Sequence, residues 1–242
     1  MKPSNRREFL SDVTKGMIIA GVGPGLASQL GVTTAFAEES PSSLDFGKLE
    51  PLISLMQETP ADKLQSILVR KLKAGETNLT QLIGAASLAN AETFGGEDYV
   101  GFHTEMALLP ALNMAKQLPE KQQPLPVLKV IYRNAQRIQE VGGANKKTLR
   151  PIEGLPSEGG NKPLLQAMRT GDMEKSESIF AGMMQGSHLD AYNHLQFLVQ
   201  EDINVHRFVL AHRAWELIGI VGEEHAHSLL RQSVRFCVQA EQ

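Results

Sequence analysis

Asn78-Leu79-Thr80-Gln81-Leu82-Ile83-Gly84-Ala85-Ala86-Ser87-Leu88-Ala89-Asn90-Ala91-Glu92-Thr93-Phe94-Gly95-Gly96 is the stretch that sets the reading of the whole chain. Asn78 or Thr80 is placed to cap a helix, because a short polar side chain there can accept a backbone N–H of the first turn. Leu82, Ile83, Ala86 and Ala89 then recur at helical spacing, and Gly95-Gly96 breaks the helix. No segment of the chain shows the strict alternation and turn residues of a strand. The expectation is an all-α protein.

The same grammar repeats on either side. Upstream, Leu52, Leu55 and Met56 start a short helix. Pro60-Ala61-Asp62 opens the next, with Leu64, Ile67, Leu68 and Leu72 as its face and Gly75 as its end. Downstream, a helix is expected from about Asp98 to Gln117, with Pro110 either kinking or splitting it. Pro124 and Pro126 open another, striped by Val127, Val130, Ile131 and Ile138. Residues 142–163 interrupt the rhythm with eight Gly or Pro, so they form a long loop that either covers a site or joins two helical halves. Beyond it, helices are expected from Pro163 to Arg169, from a cap at Gly171-Asp172 to Met184, and from a capping box at Ser187–Asp190 to Gln200. Asp202 is read as the cap of a long helix interrupted at Gly219 and Gly222 and continued or restarted to Val238. The sum is an irregular multi-helix bundle or α-solenoid of about 8–10 helices.

The 242 residues carry 24 Lys+Arg, 27 Asp+Glu and one cysteine, and 42% are hydrophobic. That is the balance of a globular protein. A single cysteine excludes an internal disulfide, a CxxC zinc site, a c-type haem attachment and a four-cysteine iron–sulfur cluster. A net charge of −3 argues against a nucleic-acid binder. There is no nucleophile elbow, no phosphate-binding glycine loop after a strand and no H-E-x-x-H protease motif.

The N-terminus reads Arg6-Arg7-Glu8-Phe9-Leu10, then a mildly apolar, Gly-rich stretch from Met17 to Phe36, closed by Ala35-Phe36-Ala37. The order of paired arginines, apolar core and small-x-small ending is that of a secretory signal, and Arg6-Arg7-x-Phe9-Leu10 resembles the twin-arginine (Tat) signal. The resemblance implies recognition by the Tat export machinery, cleavage near Ala37, a periplasmic location and a raised expectation of a cofactor. Residues 1–37 are then the signal and 38–242 the helical domain, with Ser40–Ser43 as a linker and no stable membrane span in the mature chain. Cleavage removes two net positive charges and leaves a mildly acidic protein. Tyr99-Val100-Gly101-Phe102-His103 before an Ala/Leu-rich helix resembles uncharacterised exported helical proteins of bacteria, a likeness that implies no activity.

Histidine placement is uneven. His103 is alone in the first half, while His188, His194, His206, His212, His225 and His227 fall within 40 residues. Neutral imidazole and carboxylate are common ligands for transition metals. On one continuous helix His212, Glu216, Glu223 and His227 would share a side, spread over about 22 Å, too far for one ion. Glu224-x-x-His227 matches half of a carboxylate-bridged di-iron pattern. Any real site therefore needs a second helix, and His103 is expected to meet the C-terminal cluster. The candidate metal ligands are His103, His206, His212, Glu216, Glu224 and His227, for iron, copper, manganese, zinc or haem in an oxidoreductase. The alternative is a non-catalytic helical binding or scaffold protein for a peptide or small molecule, without a cofactor, in which the histidines are packing residues.

Overall fold

The computed structural model describes residues 43–156 and 159–241, so the signal and cleavage reading lies outside the described residues. Among the described residues there are ten α-helices and no strand: α1 Glu50–Glu58, α2 Ala61–Ala74, α3 Leu79–Phe94, α4 Tyr99–Ala115, α5 Pro124–Glu140, α6 Asn161–Arg169, α7 Met173–Met183, α8 His188–Val199, α9 Val205–Val221 and α10 Ala226–Gln239. None of the described helices is long and apolar enough to cross a membrane. The arrangement is a bundle. Helices far apart in the chain pack together, as α1 does with α3, α9 with α4, and α10 with α7 and α3. A solenoid would confine each helix pair to its neighbours.

Helix α3 lies at the centre. Asn78 Oδ1 accepts the Gln81 N–H at 2.9 Å and Gln81 Oε1 accepts the Asn78 N–H at 3.1 Å, a complete capping box. Every residue from Leu82 to Phe94 is buried, against α1, α4, α5, α9 and α10. The sequence pattern points to one apolar face, but the structure covers every face, its polar residues Ser87, Asn90, Glu92 and Thr93 included. Its end is shaped by Gly96, at φ +83°. A side chain there would meet the Gln232 carbonyl of α10 at 2.3 Å, so only glycine lets the α3–α4 turn seat on that helix.

One expectation about helix limits changes, the cap of α9, and two open alternatives are decided. Helix α4 runs unbroken through Pro110, which forgoes one backbone bond. The cap of α9 is Asn204, not Asp202, because Asn204 Oδ1 takes the His206 N–H at 2.9 Å. At Gly222, φ +102°, the chain turns through Glu223–His225 and restarts as α10, so His212 and His227 never share a helix.

The Gly/Pro-rich segment is docked where it is described. Thr148 and Leu149 donate their N–H groups to the Glu92 carbonyl, Leu149 is fully buried, and Leu155 N–H donates to the Ser178 carbonyl at 2.8 Å. Lys147 of the same segment donates its Nζ to buried Glu92 at 2.9 Å. A second tie runs through buried charge. Arg231 of α10 pairs with Glu177 of α7 and donates to the Arg150 carbonyl at 2.6 Å, and Arg235 joins Glu177 to Glu97. Removing one partner of such a pair leaves an uncompensated charge at a cost of about 3–5 kcal/mol.

Two buried groups make stability depend on pH in opposite senses. Burial pushes Glu105 up from 4.5 to about 8, although Ser87 Oγ donates to it at 2.5 Å. Its contribution is whole below about 4.5 and is lost as pH rises to about 8. Burial, helped by the Arg231 charge, lowers His227 from 6.5 to about 4, so its contribution is whole above about 6.5 and is lost as pH falls. Between 4.5 and 6.5 the two slopes oppose each other. From 6.5 to 8 only Glu105 remains, and stability should fall by up to about 1.4 kcal/mol per pH unit. Urea midpoints of Glu105→Gln should be level across that window. A wild-type midpoint that is also level would show that Glu105 is not held neutral.

Candidate functional site

Where α4 and α9 begin, five rings meet. Asp98 caps α4 by accepting the Gly101 N–H at 2.8 Å, and Arg137 of α5 grips the same carboxylate at 2.7 Å. Burial alone would raise the pKa of Asp98, but those bonds outweigh it and hold the carboxylate below its usual value. A side chain at Gly101 would strike the Phe94 ring at 2.5 Å, so glycine is what lets α4 start flush against α3. This fixes the turn that carries Tyr99, Phe102 and His103. His206 comes from the first turn of α9, and Phe236 from α10.

Edge-to-face contacts join His103 to His206, Phe102 to His206 and Phe102 to Phe236, while Phe102 and Tyr99 lie tilted against His103. His103 and His206 are 4.9 Å apart at 67°, Phe102 lies 4.7 Å from His103 and 5.4 Å from His206, and Phe236 lies 5.0 Å from Phe102. Tyr99 covers His103 at 4.3 Å. Phe102 and Phe236 are buried, the two histidines are half-buried, and Tyr99 is 69% exposed. In and just before the first turn of α9, which carries His206, Ile203 is fully exposed, Val205 65% and Phe208 60% exposed.

Both imidazoles are held by their Nδ1 atoms. His103 Nδ1 lies 2.6 Å from the Tyr99 carbonyl, and a carbonyl oxygen can only accept, so Nδ1 carries the proton. His206 Nδ1 lies 3.1 Å from Asn204 Oδ1, the oxygen that also accepts the helix-capping N–H. In each neutral ring the lone pair is therefore on Nε2. Neither Nε2 has a hydrogen-bond partner among the described residues, and neither is a buried orphan.

The expected meeting of His103 with the C-terminal histidines occurs through His206. The remaining candidates lie elsewhere. His212 stacks on Phe208 and lies 3.4 Å from Glu216, which Arg213 also holds at 2.5 Å. Glu224 is exposed in the turn between α9 and α10. His227 turns inward against Phe180, its Nε2 buried without a partner. Of the other histidines, His225 sets its edge on Phe46, and His194 lies near Gly160. Cys237 is buried, which pushes its thiol up to about 12 and makes it inert. Among the described residues no three His, Cys, Asp or Glu side chains gather as a metal-holding group. A shallow depression of about 410 Å³ lies apart from the rings, between the start of α3 and the end of α4, lined by Asn78, Gln81, Leu112, Lys116 and Gln123 among others.

Sequence reasoning missed Tyr99, Phe102, Phe236 and Phe208 as companions of the histidines. Tyr99, Phe102 and His103 are adjacent in sequence, which was a usable signal, but nothing local ties them to Phe236. No family model matches the chain, and comparison with curated proteins and with solved structures likewise returns no match.

Asn204 does two tasks, and its loss should show both. Asn204→Ala should cost about 1 kcal/mol in urea unfolding, the usual value of a lost cap. Nitrogen-15 spectra should then show His206 as a mixture of tautomers, while Asn204→Asp keeps the Nδ1–H form. A His206 signal unchanged in Asn204→Ala would refute the assigned hydrogen bond.

Proposed function

We propose that this is an exported helical binding protein whose contact face is the aromatic–histidine surface at the start of α4 and α9. One observation carries the reading: Tyr99 stands 69% exposed over half-buried His103, and Ile203, Val205 and Phe208 stand 60% or more exposed in and just before the first turn of α9, which carries half-buried His206. Large apolar side chains clustered in water mark contact sites, and aromatic rings supply broad contact area with few rotatable bonds. The partner is a peptide or small molecule with an apolar or aromatic surface. An oxidoreductase is the second reading, and the pairing of His103 with His206 is what favours it.

Export rests on the Arg6-Arg7 signal and places the helical domain in the periplasm after cleavage near Ala37. Replacing both arginines by lysine should leave uncleaved precursor inside the cell, read by fractionation and N-terminal sequencing. Equal export of the double variant would remove the twin-arginine route.

The contact face has its own test. A photo-crosslinking residue at position 205 or 208 should give discrete adducts in intact cells. The same residue at exposed Lys63 on α2 should give none. Identical patterns at all three positions would refute a dedicated face.

A further inference from the structure

We propose that His103 and His206 together form a binding site for a divalent transition metal ion, with copper(II) preferred and zinc(II) or nickel(II) bound more weakly. The proposal rests on the reading of this face as the contact surface and names an ion as one of its ligands. The two rings come from different helices and lie 4.9 Å apart. Their positions are set before any ion arrives, by the Asp98 cap with its Arg137 clamp on one side and the Asn204 cap on the other. Each ring spends its Nδ1–H on an oxygen acceptor, the Tyr99 carbonyl or the Asn204 amide. That outer bond is the one metal-binding histidines use to fix the tautomer and raise the basicity of the other nitrogen. Both Nε2 lone pairs are left without a protein partner among the described residues.

The chemistry of the pair selects the ion. Two neutral imidazoles favour copper, nickel and zinc over magnesium and calcium, which want oxygen ligands. Among divalent ions the order of affinity for nitrogen ligands peaks at copper(II). The described residues add no third His, Cys, Asp or Glu, so the ion keeps water in its remaining positions and exchanges readily. A bound peptide or small molecule could supply further donors at those open positions. Asn204 is a positioning residue here: it holds the His206 ring and touches no ion.

The test is a titration of tag-free mature protein, first stripped of metal, with copper(II), read by calorimetry and electron paramagnetic resonance. One ion per chain is expected, with a spectrum of two-nitrogen ligation. His103→Gln and His206→Gln should each weaken binding by about tenfold or more, at least the loss seen on removing an outer partner of a metal ligand. Asn204→Ala should weaken it by about tenfold while Asn204→Asp restores it. His212→Gln, also on α9 and half-buried, should bind as the wild type. Glutamine preserves polarity and size, and circular dichroism confirms folding. Copper bound equally by wild type and the His103→Gln/His206→Gln double variant would overturn the site, as would an equal loss in His212→Gln. If copper fails while crosslinks at 205 and 208 persist, the metal site falls and the contact face stands. If copper binds through both histidines and no crosslinks form, the metal site stands and the contact face falls.

Discussion

The bundle depends on the burial of α3 on every side, because that helix is not wholly apolar. Ser87, Asn90, Glu92 and Thr93 are all sealed from water, and a buried polar group without a partner costs about 1–3 kcal/mol. Each of these side chains is answered by a neighbour, although Asn90 Oδ1 itself is left without one. Ser87 bonds Glu105 of α4. The Asn90 amide donates to the Gly101 carbonyl at 2.8 Å and to Asn134 of α5 at 2.7 Å, and Asn134 donates to the Ala86 carbonyl at 3.0 Å. Glu92 takes Gln57 of α1 and Lys147 of the docked segment. Thr148 Oγ1 donates to the Thr93 carbonyl. Hydrophobic burial alone would let these helices slide or rotate. The polar pairs fix their register, since a shift by one residue would orphan several groups at once.

The C-terminal helix is locked by a different means. Arg231 and Arg235 reach across to Glu177 and Glu97, and fully buried Arg207 of α9 bonds Glu241 at 2.6 Å and the Leu198 carbonyl at 3.2 Å. Planar guanidinium groups satisfy several acceptors in fixed directions, so α10 has one orientation relative to α7, α9 and the α3–α4 turn. Gly96 imposes the same seat sterically. That orientation places Phe236 beneath Phe102 and closes the back of the ring cluster.

The surface thus inherits its geometry from the interior. The Asp98–Arg137 pair and the absence of a side chain at Gly101 hold the first turn of α4. The Arg207 anchor and the Asn204 cap hold the first turn of α9. Two histidines about a hundred residues apart in sequence are brought into ring contact by elements whose own constraints lie far from either. A rigid setting of this kind lowers the entropy lost when a ligand binds.

Local chemistry alone determined the helical class, most helix limits and the caps at Asp172 and Ser187, and narrowed the cap of α3 to Asn78 or Thr80, because helical spacing and capping act within four residues. It also singled out His103 as a partner for the later histidines. Which histidine answers it was beyond local reading. The turn at Gly222 brings His227 inward against Phe180 and leaves His212 on another side of α9, paired with Glu216. Only packing against α4 and α10 selects His206. Likewise, periodicity shows a helix's apolar stripe but not whether its polar side is also covered. The burial of Glu105, Glu92 and Arg207, and the docking of residues 148–155, follow from which helices surround α3 and α10. Those are long-range contacts, with their partners up to more than a hundred residues away, and no local pattern encodes them.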